Sequence, residues 1–118
     1  MNAKDLLGQQ GEQLAASFLT EAGLEILGRN WRCEHGEIDI VARDGQTLVI
    51  CEVKTRSGVR FGTPVEAITR QKAARLRRLA VAWLTAHSLF FKEIRIDAIG
   101  VLRAATGEFS VEHIRGVG

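Results

Sequence analysis

The sequence predicts one α/β domain, spanning residues 1–118, with a mixed central sheet of four to five strands flanked by helices. Two segments around Asp44-Gly45 read as adjacent strands, and this dipeptide is typical of two-residue hairpin turns. Segments with helical spacing of apolar residues lie on both sides of this hairpin. The length of 118 residues, of which 46% are hydrophobic and 25% charged, is typical of a single globular domain. The predicted order is helix, three strands, helix, one or two strands.

The chain opens with a predicted helix over residues 5–22, which Gly23 ends. Glu12 falls at the margin of its apolar stripe. It is either a solvated flank residue, which is the commoner case, or it leans toward the polar end of the hairpin. A first strand is predicted over residues 24–31, and we expect Trp31 at its end to close a core rather than to stack on a base.

Counting outward from the predicted turn sets the register of the hairpin. The expected pairs are Arg43 with Gln46, Val41 with Leu48, Asp39 with Ile50, Glu37 with Glu52, and His35 with Lys54. One face is then almost wholly apolar, with Ile38, Ile40, Ala42, Thr47, Val49, Cys51 and Val53. The other face is apolar near the turn and becomes polar at the open end.

Three carboxylates and a lysine gather at that open end: Glu37, Asp39, Glu52 and Lys54. In this register Asp39 and Glu52 are diagonal neighbours, about 7–8 Å apart at the backbone, so their carboxylates can converge on one cation. Hard oxygen ligands suit Mg²⁺ or Mn²⁺. Glu-x-Lys on a strand is more often a solvated edge with a weak ion pair. Because both strands look buried on the opposite face, the two interpretations stay open.

A flexible, positively charged segment follows at residues 55–62, with Arg56 and Arg60 available to hold a phosphodiester backbone or simply solvated. Thr63-Pro64-Val65-Glu66 predicts a helix start, with Thr63 as N-cap and Glu66 completing a capping box. The second helix is expected to run to His87. Lys72 falls in the middle of its apolar face, so its amine either reaches the edge or contacts the acidic patch.

The remaining pattern adds strands over residues 92–101 and 108–114 and a group of arginines on the second helix, Arg70, Arg75, Arg77 and Arg78. Such a group fits nucleic-acid binding, although surface arginines on helices are ordinary. A net charge of +2 identifies no partner by itself. Cys33 and Cys51 lack metal-ligand spacing, so we expect reduced thiols in a cytoplasmic protein. No apolar run predicts a membrane span or a signal peptide.

GEIDIVA, LVICEVKTR and FGTPVEAI, followed by a helix that contains Lys72, resemble the YraN-like family of uncharacterised bacterial proteins. That family is similar in turn to the PD-(D/E)xK nuclease superfamily, especially the Holliday junction resolvases. The resemblance covers residues 8–101 and implies a restriction-endonuclease-like core. By position, Asp39 matches the first carboxylate of the motif, Glu52 and Lys54 match its E-x-K, and Glu12 matches a first-helix glutamate near the metal.

The resemblance implies Mg²⁺- or Mn²⁺-dependent hydrolysis of phosphodiester bonds, with Asp39, Glu52 and Lys54 as catalytic residues and Asp39, Glu52 and Glu12 as metal ligands. DNA, with branched DNA among the expected substrates, would be held by Arg56, Arg60, Lys72 and Arg75, with Glu37 and Glu66 as secondary site candidates. The alternatives are a nucleic-acid-binding module of a repair or uptake complex that does not cut, and an assembly partner. A homodimer is a further expectation, for which Leu89-Phe90-Phe91 offers an apolar contact.

Overall fold

The computed structural model describes residues 2–58 and 64–117, except the side chains of residues 66 and 67. Its helices are α1 (Ala3–Glu21), a short 3₁₀ helix (Pro64–Ala67) and α2 (Arg70–His87). Its strands are β1 (Glu25–Cys33), β2 (Gly36–Asp44), β3 (Thr47–Ser57), β4 (Glu93–Arg103) and β5 (Phe109–Ile114). These strands form one sheet in the order β1-β2-β3-β4-β5. The predicted mixed α/β fold is confirmed.

Strand β3 is the centre of the sheet. It pairs antiparallel with β2 across the hairpin and parallel with β4, to which the chain returns through α2. A parallel pair needs a long crossover of this kind, whereas the antiparallel pairs need only short turns. Strands β1 and β5 pair antiparallel with β2 and β4 and form the two edges. The polar end of β3, from Glu52 onward, is paired with β4 alone, because the recorded β2–β3 pairs end at Ile40 and Cys51.

Each face of the sheet has its own apolar core. The core under α1 consists of Ala15, Ala16, Leu19, Leu24, Ile40, Ala42, Val49, Cys51, Ile99 and Val101. The core under α2 consists of Ile38, Val41, Leu48, Ile50, Ala73, Leu76, Leu79, Ala80, Trp83 and Ile96. Trp31 packs against the second core, which confirms its expected role. Strand β3 contributes alternate residues to both cores as far as Cys51. Its C-terminal half departs from this pattern because it carries polar residues.

Local capping sets where the helices begin and end. Asn2 caps α1 by accepting a hydrogen bond from the Asp5 N–H at 2.8 Å, and Gly23, with φ of +95°, follows its last turn. Helix α2 begins later than predicted, at Arg70, because Thr69 caps it and accepts from the Lys72 N–H at 3.2 Å. Thr63 lies outside the described residues, as does the side chain of Glu66. Among the described residues, no helix is long and apolar enough to cross a membrane.

The predicted register of the hairpin is wrong by one position on each strand. The observed pairs are Asp44 with Thr47, Arg43 with Leu48, Ala42 with Val49, Val41 with Ile50, and Ile40 with Cys51. The turn residues are thus Gly45 and Gln46 rather than Asp44 and Gly45. Gly45 has φ of +62°, and a glycine at the first turn position is the requirement of a type II′ hairpin. Asp44 stays in the strand, where Arg95 Nη1 binds its carboxylate at 3.0 Å.

The alternation of β2 breaks at Asp39. Ile38 was expected beside Ile40, but it packs in the α2 core while Ile40 packs in the α1 core. On β1, Arg29 pairs with Ile40 and Trp31 with Ile38, which leaves Asn30 opposite Asp39. Asn30 has φ of +53°, a left-handed conformation that asparagine tolerates better than most residues. This irregularity on both strands changes the face of every side chain beyond it and frees Asp39 from the regular ladder.

A buried polar network ties the last strand to the sheet. Asp97 is fully buried, and Arg95 binds its two oxygens through Nε at 2.8 Å and Nη2 at 3.0 Å. The Nε2 of His113 lies 2.8 Å from the same carboxylate, and the Gly116 N–H donates to it at 3.0 Å. Burial opposes ionisation of Asp97, but the hydrogen bonds from Arg95, His113 and Gly116 hold its pKa below the ordinary value.

Candidate functional site

Two carboxylates meet where the β2–β3 ladder ends. The last recorded pair is Ile40 with Cys51, so the next positions outward on the two strands are Asp39 and Glu52. Neither acid belongs to a recorded pair of this ladder, but they lie close enough for the charge of Glu52 to raise the pKa of Asp39. Asp39 Oδ2 accepts a hydrogen bond from the Val53 N–H at 2.8 Å, which fixes this carboxylate against β3. The end of the ladder therefore presents two acids at one point.

The surroundings of Asp39 favour its protonated form. Burial raises the pKa of Asp39 from 3.8 to about 6, and the negative charge of Glu52 adds to the rise. The hydrogen bond from the Val53 N–H acts in the opposite direction but is outweighed. A paired, half-buried arrangement of acids is costly unless a proton or a cation lies between them. Asp39 and Glu52 are therefore suited to binding a cation.

Two lysines lie on the α2 side of this acid pair. Lys54 Nζ lies 3.9 Å from Glu52 Oε1, close enough for an ion pair. Lys72, from the first turn of α2, lies beside Lys54, and its pKa is lowered first by burial and then by the charge of Lys54. The prediction that Lys72 reaches toward the acidic patch agrees with this position. Two amines and two carboxylates thus share one end of the sheet.

Glu12 reaches the same end of the sheet from α1. Helix α1 comes very close to β3 at Gly11, where an added Cβ would lie 2.8 Å from the Cβ of Thr55 and even nearer to its hydroxyl. Only glycine fits this contact. Because Glu12 is the next residue of α1, this close approach of the helix also brings Glu12 near β3. Glu12 and Asp39 both line a cleft of about 530 Å³ between the start of α1 and the end of β3. Of the two predicted positions for Glu12, the structure has the one beside the site.

The electrostatic environment of Glu12 resembles that of Asp39. Burial raises its pKa, and the charge of Asp39 raises it further. Arg29 Nη2 lies 3.5 Å from Glu12 Oε1, and Arg29 and Asn30 partly offset the rise. The Oε1 atom is buried and forms an ion pair with Arg29 but no hydrogen bond of good geometry within the described part of the chain. A buried carboxylate oxygen is stabilised by positive charge, which Arg29 supplies here and to which a bound cation would add.

Sequence reasoning did not assign Arg29 and Asn30 to this site. Both lie on β1, and Arg29 Nη1 also donates to Gln13 Oε1 at 2.9 Å, which ties β1 to α1. The signal available in the sequence was Asn30 itself, because an asparagine inside a strand often marks a left-handed residue. Arg29 could be assigned to the site only once the structure showed the irregularity of β1 opposite Asp39.

The other predicted site residues lie in different parts of the structure. Glu37 pairs with Arg32 on β1, whose Nε lies 3.0 Å from Glu37 Oε2, so it has a structural partner. Arg56 is half-buried near the end of β3, and its Nε lacks a hydrogen-bond partner among the residues the structure describes. Arg75 is exposed on α2, one turn beyond Lys72. Arg60 lies outside the described residues.

The acids do not form a complete metal site by themselves. Within residues 2–58 and 64–117, no three His, Cys, Asp or Glu side chains are grouped closely enough to hold a metal ion. The pair of Asp39 and Glu52 remains, with Glu12 near enough to alter the electrostatics of Asp39 and to be altered by it. Any cation bound here would complete its coordination with water or with ligand oxygens.

Comparison with known proteins places this arrangement in a family. The model of the "Uncharacterised protein family UPF0102" matches residues 11–101. A UPF0102 protein of Beutenbergia cavernae is 57% identical over 118 residues, covering all of both chains. A UPF0102 protein of Frankia casuarinae is 54% identical over 116 residues, covering 98% of each chain. A UPF0102 protein of a Nocardioides strain is 54% identical over 115 residues, covering 98% of this chain and 93% of its own. The chain belongs to the UPF0102 family.

Proposed function

We propose that the protein is a metal-dependent endonuclease that hydrolyses phosphodiester bonds of DNA, with branched or junction DNA as its substrate. The observation that supports this most is the meeting of Asp39 and Glu52 at the end of the β2–β3 ladder, with Lys54 at 3.9 Å from Glu52. The same residue types at the same positions led to the resemblance to the PD-(D/E)xK nucleases. The arrangement of strands and helices is compatible with that superfamily.

The residues fit Mg²⁺ or Mn²⁺. Mg²⁺ is usually bound through one or two carboxylates, with waters and substrate phosphates as the other ligands. Asp39 and Glu52 supply two carboxylates, and Glu12 lies beside Asp39, with Arg29 at 3.5 Å from its Oε1. Hard oxygen donors of this kind select Mg²⁺ and Mn²⁺ over softer metals. Water and substrate phosphates would have to supply the remaining ligands.

Each residue then has a distinct task. A divalent cation, when bound, lowers the pKa of water and neutralises charge on the phosphate. Lys54 holds its ammonium beside Glu52, where it can orient the attacking water and stabilise the negative charge of the transition state. The Val53 N–H keeps Asp39 in one orientation, so that the acid does not have to be ordered during the reaction. Glu12 binds or orients from the α1 side.

Basic residues would hold the backbone of the nucleic acid. Lys72 and Arg75 lie one turn apart on α2, beside Lys54, and Arg56 continues β3 two residues beyond it. Each such residue neutralises one phosphate and makes binding weaker as salt rises. With a net charge of only +2, affinity has to come from this local group rather than from the charge of the whole protein.

A cleavage assay tests the proposal. Labelled four-way junctions and matched linear duplexes are incubated with the protein in Mg²⁺, in Mn²⁺ and in EDTA. We expect cutting that needs the metal and that falls by about 100-fold or more in Glu52→Gln and Lys54→Ala, because each removes a group acting on the transition state. Glu108→Gln, which changes an exposed acid before β5, is the matched control and should cut normally.

One observation favours a second function, a nucleic-acid-binding module that does not cut. Arginines already accompany two of the acids near the site, Arg29 beside Glu12 and Arg32 beside Glu37, as expected if their role is structural. If DNA binds with equal affinity with and without Mg²⁺, and no variant or metal produces cutting, the nuclease proposal is wrong and this second function replaces it. Lack of any DNA affinity at low salt would instead indicate an assembly partner.

A further inference from the structure

A groove on α2 shares Arg75 with the residues proposed to hold the nucleic acid, and its other lining residues have no role in the proposed site. Its volume is about 470 Å³, and it is lined by His35, Arg75, Arg78, Leu79, Val81 and Ala82. One wall is the turn between β1 and β2. Gly36 in this turn packs on α2 so closely that an added Cβ would lie 3.4 Å from Leu79 Cδ1. We call this the α2 groove.

The α2 groove combines an apolar floor with a basic rim. Leu79 is buried at its base, whereas Val81 keeps 56% of its surface exposed. Arg75 and Arg78 are exposed along one side, and His35 stands opposite with Glu34 at 3.5 Å from its Nε2. A ligand that matches both features has a flat or apolar body and a negative charge at its edge. A nucleotide, with its base and phosphate, has this chemistry.

A line of positive charge connects the groove to the lysine pair. Lys72, Arg75 and Arg78 are spaced three residues apart, so each is a neighbour of the next, and the row turns by about 120° around α2 from Lys72 to Arg78. Lys72 lies beside Lys54. Six residues of helix rise by about 9 Å. This span corresponds to two or three phosphates at roughly 3.4 Å of helix axis per charge on one strand. A strand held at Lys54 and Lys72 would therefore reach the groove within a few nucleotides.

We propose that the α2 groove binds an unpaired nucleobase of a single-stranded segment. The base would lie on the exposed side chain of Val81, and Arg75 and Arg78 would hold the phosphates on either side. Bases inside a duplex are stacked and cannot enter such a groove without unstacking. In the proposed nuclease, the groove directs cutting to DNA with unpaired nucleotides next to the scissile bond. This consequence rests on the proposed function.

The test measures binding in EDTA, so that no cutting occurs. Fluorescence anisotropy compares a labelled short oligothymidylate with an oligonucleotide of the same length and charge whose sugars carry no bases. We expect the abasic strand to bind about tenfold more weakly, a difference of about 1.4 kcal/mol, because it lacks the base that would lie on Val81. In Val81→Ser this preference should shrink to within about twofold, because the exposed apolar surface of the groove is lost.

Two arginine variants separate base binding from charge. Arg78→Ala should weaken both strands by a similar factor, because it removes a phosphate contact. Arg77→Ala is the matched control, since Arg77 lies on another face of α2 and donates to the Ile94 carbonyl at 3.3 Å. It should leave both affinities nearly unchanged. Circular dichroism of each variant verifies that α2 is folded.

Two results would overturn the inference. Equal affinity of the wild type for the two strands would show that the protein contacts only the phosphates. Displacement of the oligonucleotide by a polyglutamate peptide at equal charge concentration would assign the groove to an acidic protein partner. Because binding is measured without metal, a protein that never cuts DNA can still show the base preference, and a cutting enzyme can lack it.

Discussion

Replacing Asp39 by asparagine should stabilise the protein at neutral pH while removing a proposed metal ligand. Asparagine has nearly the same shape, and its carbonyl oxygen can still accept from the Val53 N–H, which Asp39 does at 2.8 Å. What the substitution removes is a negative charge that burial and Glu52 both disfavour. Active-site residues often cost stability in this way.

The magnitude follows from the pKa of Asp39. A pKa raised from 3.8 to about 6 means that the folded protein binds this proton more tightly than the unfolded chain does. The stabilisation is fully present below pH 3.8 and is lost as the pH rises through 6. Each pKa unit corresponds to about 1.4 kcal/mol, so the loss is at most about 3 kcal/mol. Asparagine does not titrate and avoids this loss.

Urea unfolding of both proteins in EDTA, at pH 4 and at pH 8, measures the difference. We expect the free energies of unfolding to be similar at pH 4. At pH 8 the variant should be more stable by about 1–3 kcal/mol. Glu108→Gln, an exposed acid away from the site, should show no such change between the two pH values. A difference that does not depend on pH, or a wild type that is the more stable protein at pH 8, would refute the reasoning.

The remaining predictions concern the metal, the core and the surface. Mg²⁺ at about 100-fold above its Kd should stabilise the wild type by about 2.7 kcal/mol in thermal unfolding but leave Asp39→Asn unchanged; equal shifts would place the ion elsewhere. Asp97→Ala should cost about 3–5 kcal/mol in urea unfolding, because it removes a fully buried carboxylate and leaves the buried His113 side chain and the Gly116 N–H without their acceptor, while Arg95 keeps only Asp44; a cost below about 1 kcal/mol would contradict this. Gly11→Ala should cost about 1–3 kcal/mol through its clash with Thr55, and Thr55→Gly should restore most of it; no rescue would mean that the close contact is not the cause. If Phe90, which is 90% exposed, mediates the expected homodimer, Phe90→Asp should halve the mass seen by light scattering; a wild-type monomer would end that expectation.

The fold could be predicted because its main signals are local and repeated. Apolar residues at helical spacing defined α1 and α2, and alternating apolar residues defined the hairpin. The types and order of the elements were therefore right, and their ends were wrong by only a few residues, except where Thr69 rather than Thr63 begins α2. Capping residues compete when several lie close together, and tertiary contacts decide between them.

The register could not be predicted because a distant residue decides it. Asp44-Gly45 favours a turn at those two residues. However, Arg95, which lies 51 residues away, binds Asp44 and holds it in the strand, and Arg115 adds a contact at 3.4 Å. The turn moves to Gly45-Gln46, and each pairing moves with it. The structure nevertheless has Asp39 and Glu52 close together, because they occupy the next positions beyond the last recorded pair of the two strands.

The position of Glu12 could not be decided from helical geometry alone. Its side chain lies at the edge of an apolar stripe, where either solvent or the sheet could receive it. The deciding feature is the contact between Gly11 and Thr55, which depends on how closely α1 approaches β3. A sequence pattern shows that a small residue is present, but not which surface it touches.

The hairpin ladder stops at Ile40 and Cys51, and the acids begin at the next residues. Asp39 and Glu52 themselves can change without removing a recorded β2–β3 pair or a member of either apolar core, whereas the neighbouring Ile38 belongs to the α2 core. The proposed site and the apolar cores therefore occupy neighbouring positions of the same two strands. The proposed reaction could be lost or altered at the acids in one lineage while the scaffold is inherited intact, and laboratory variants of the acids should yield folded proteins for trapping whatever the scaffold binds.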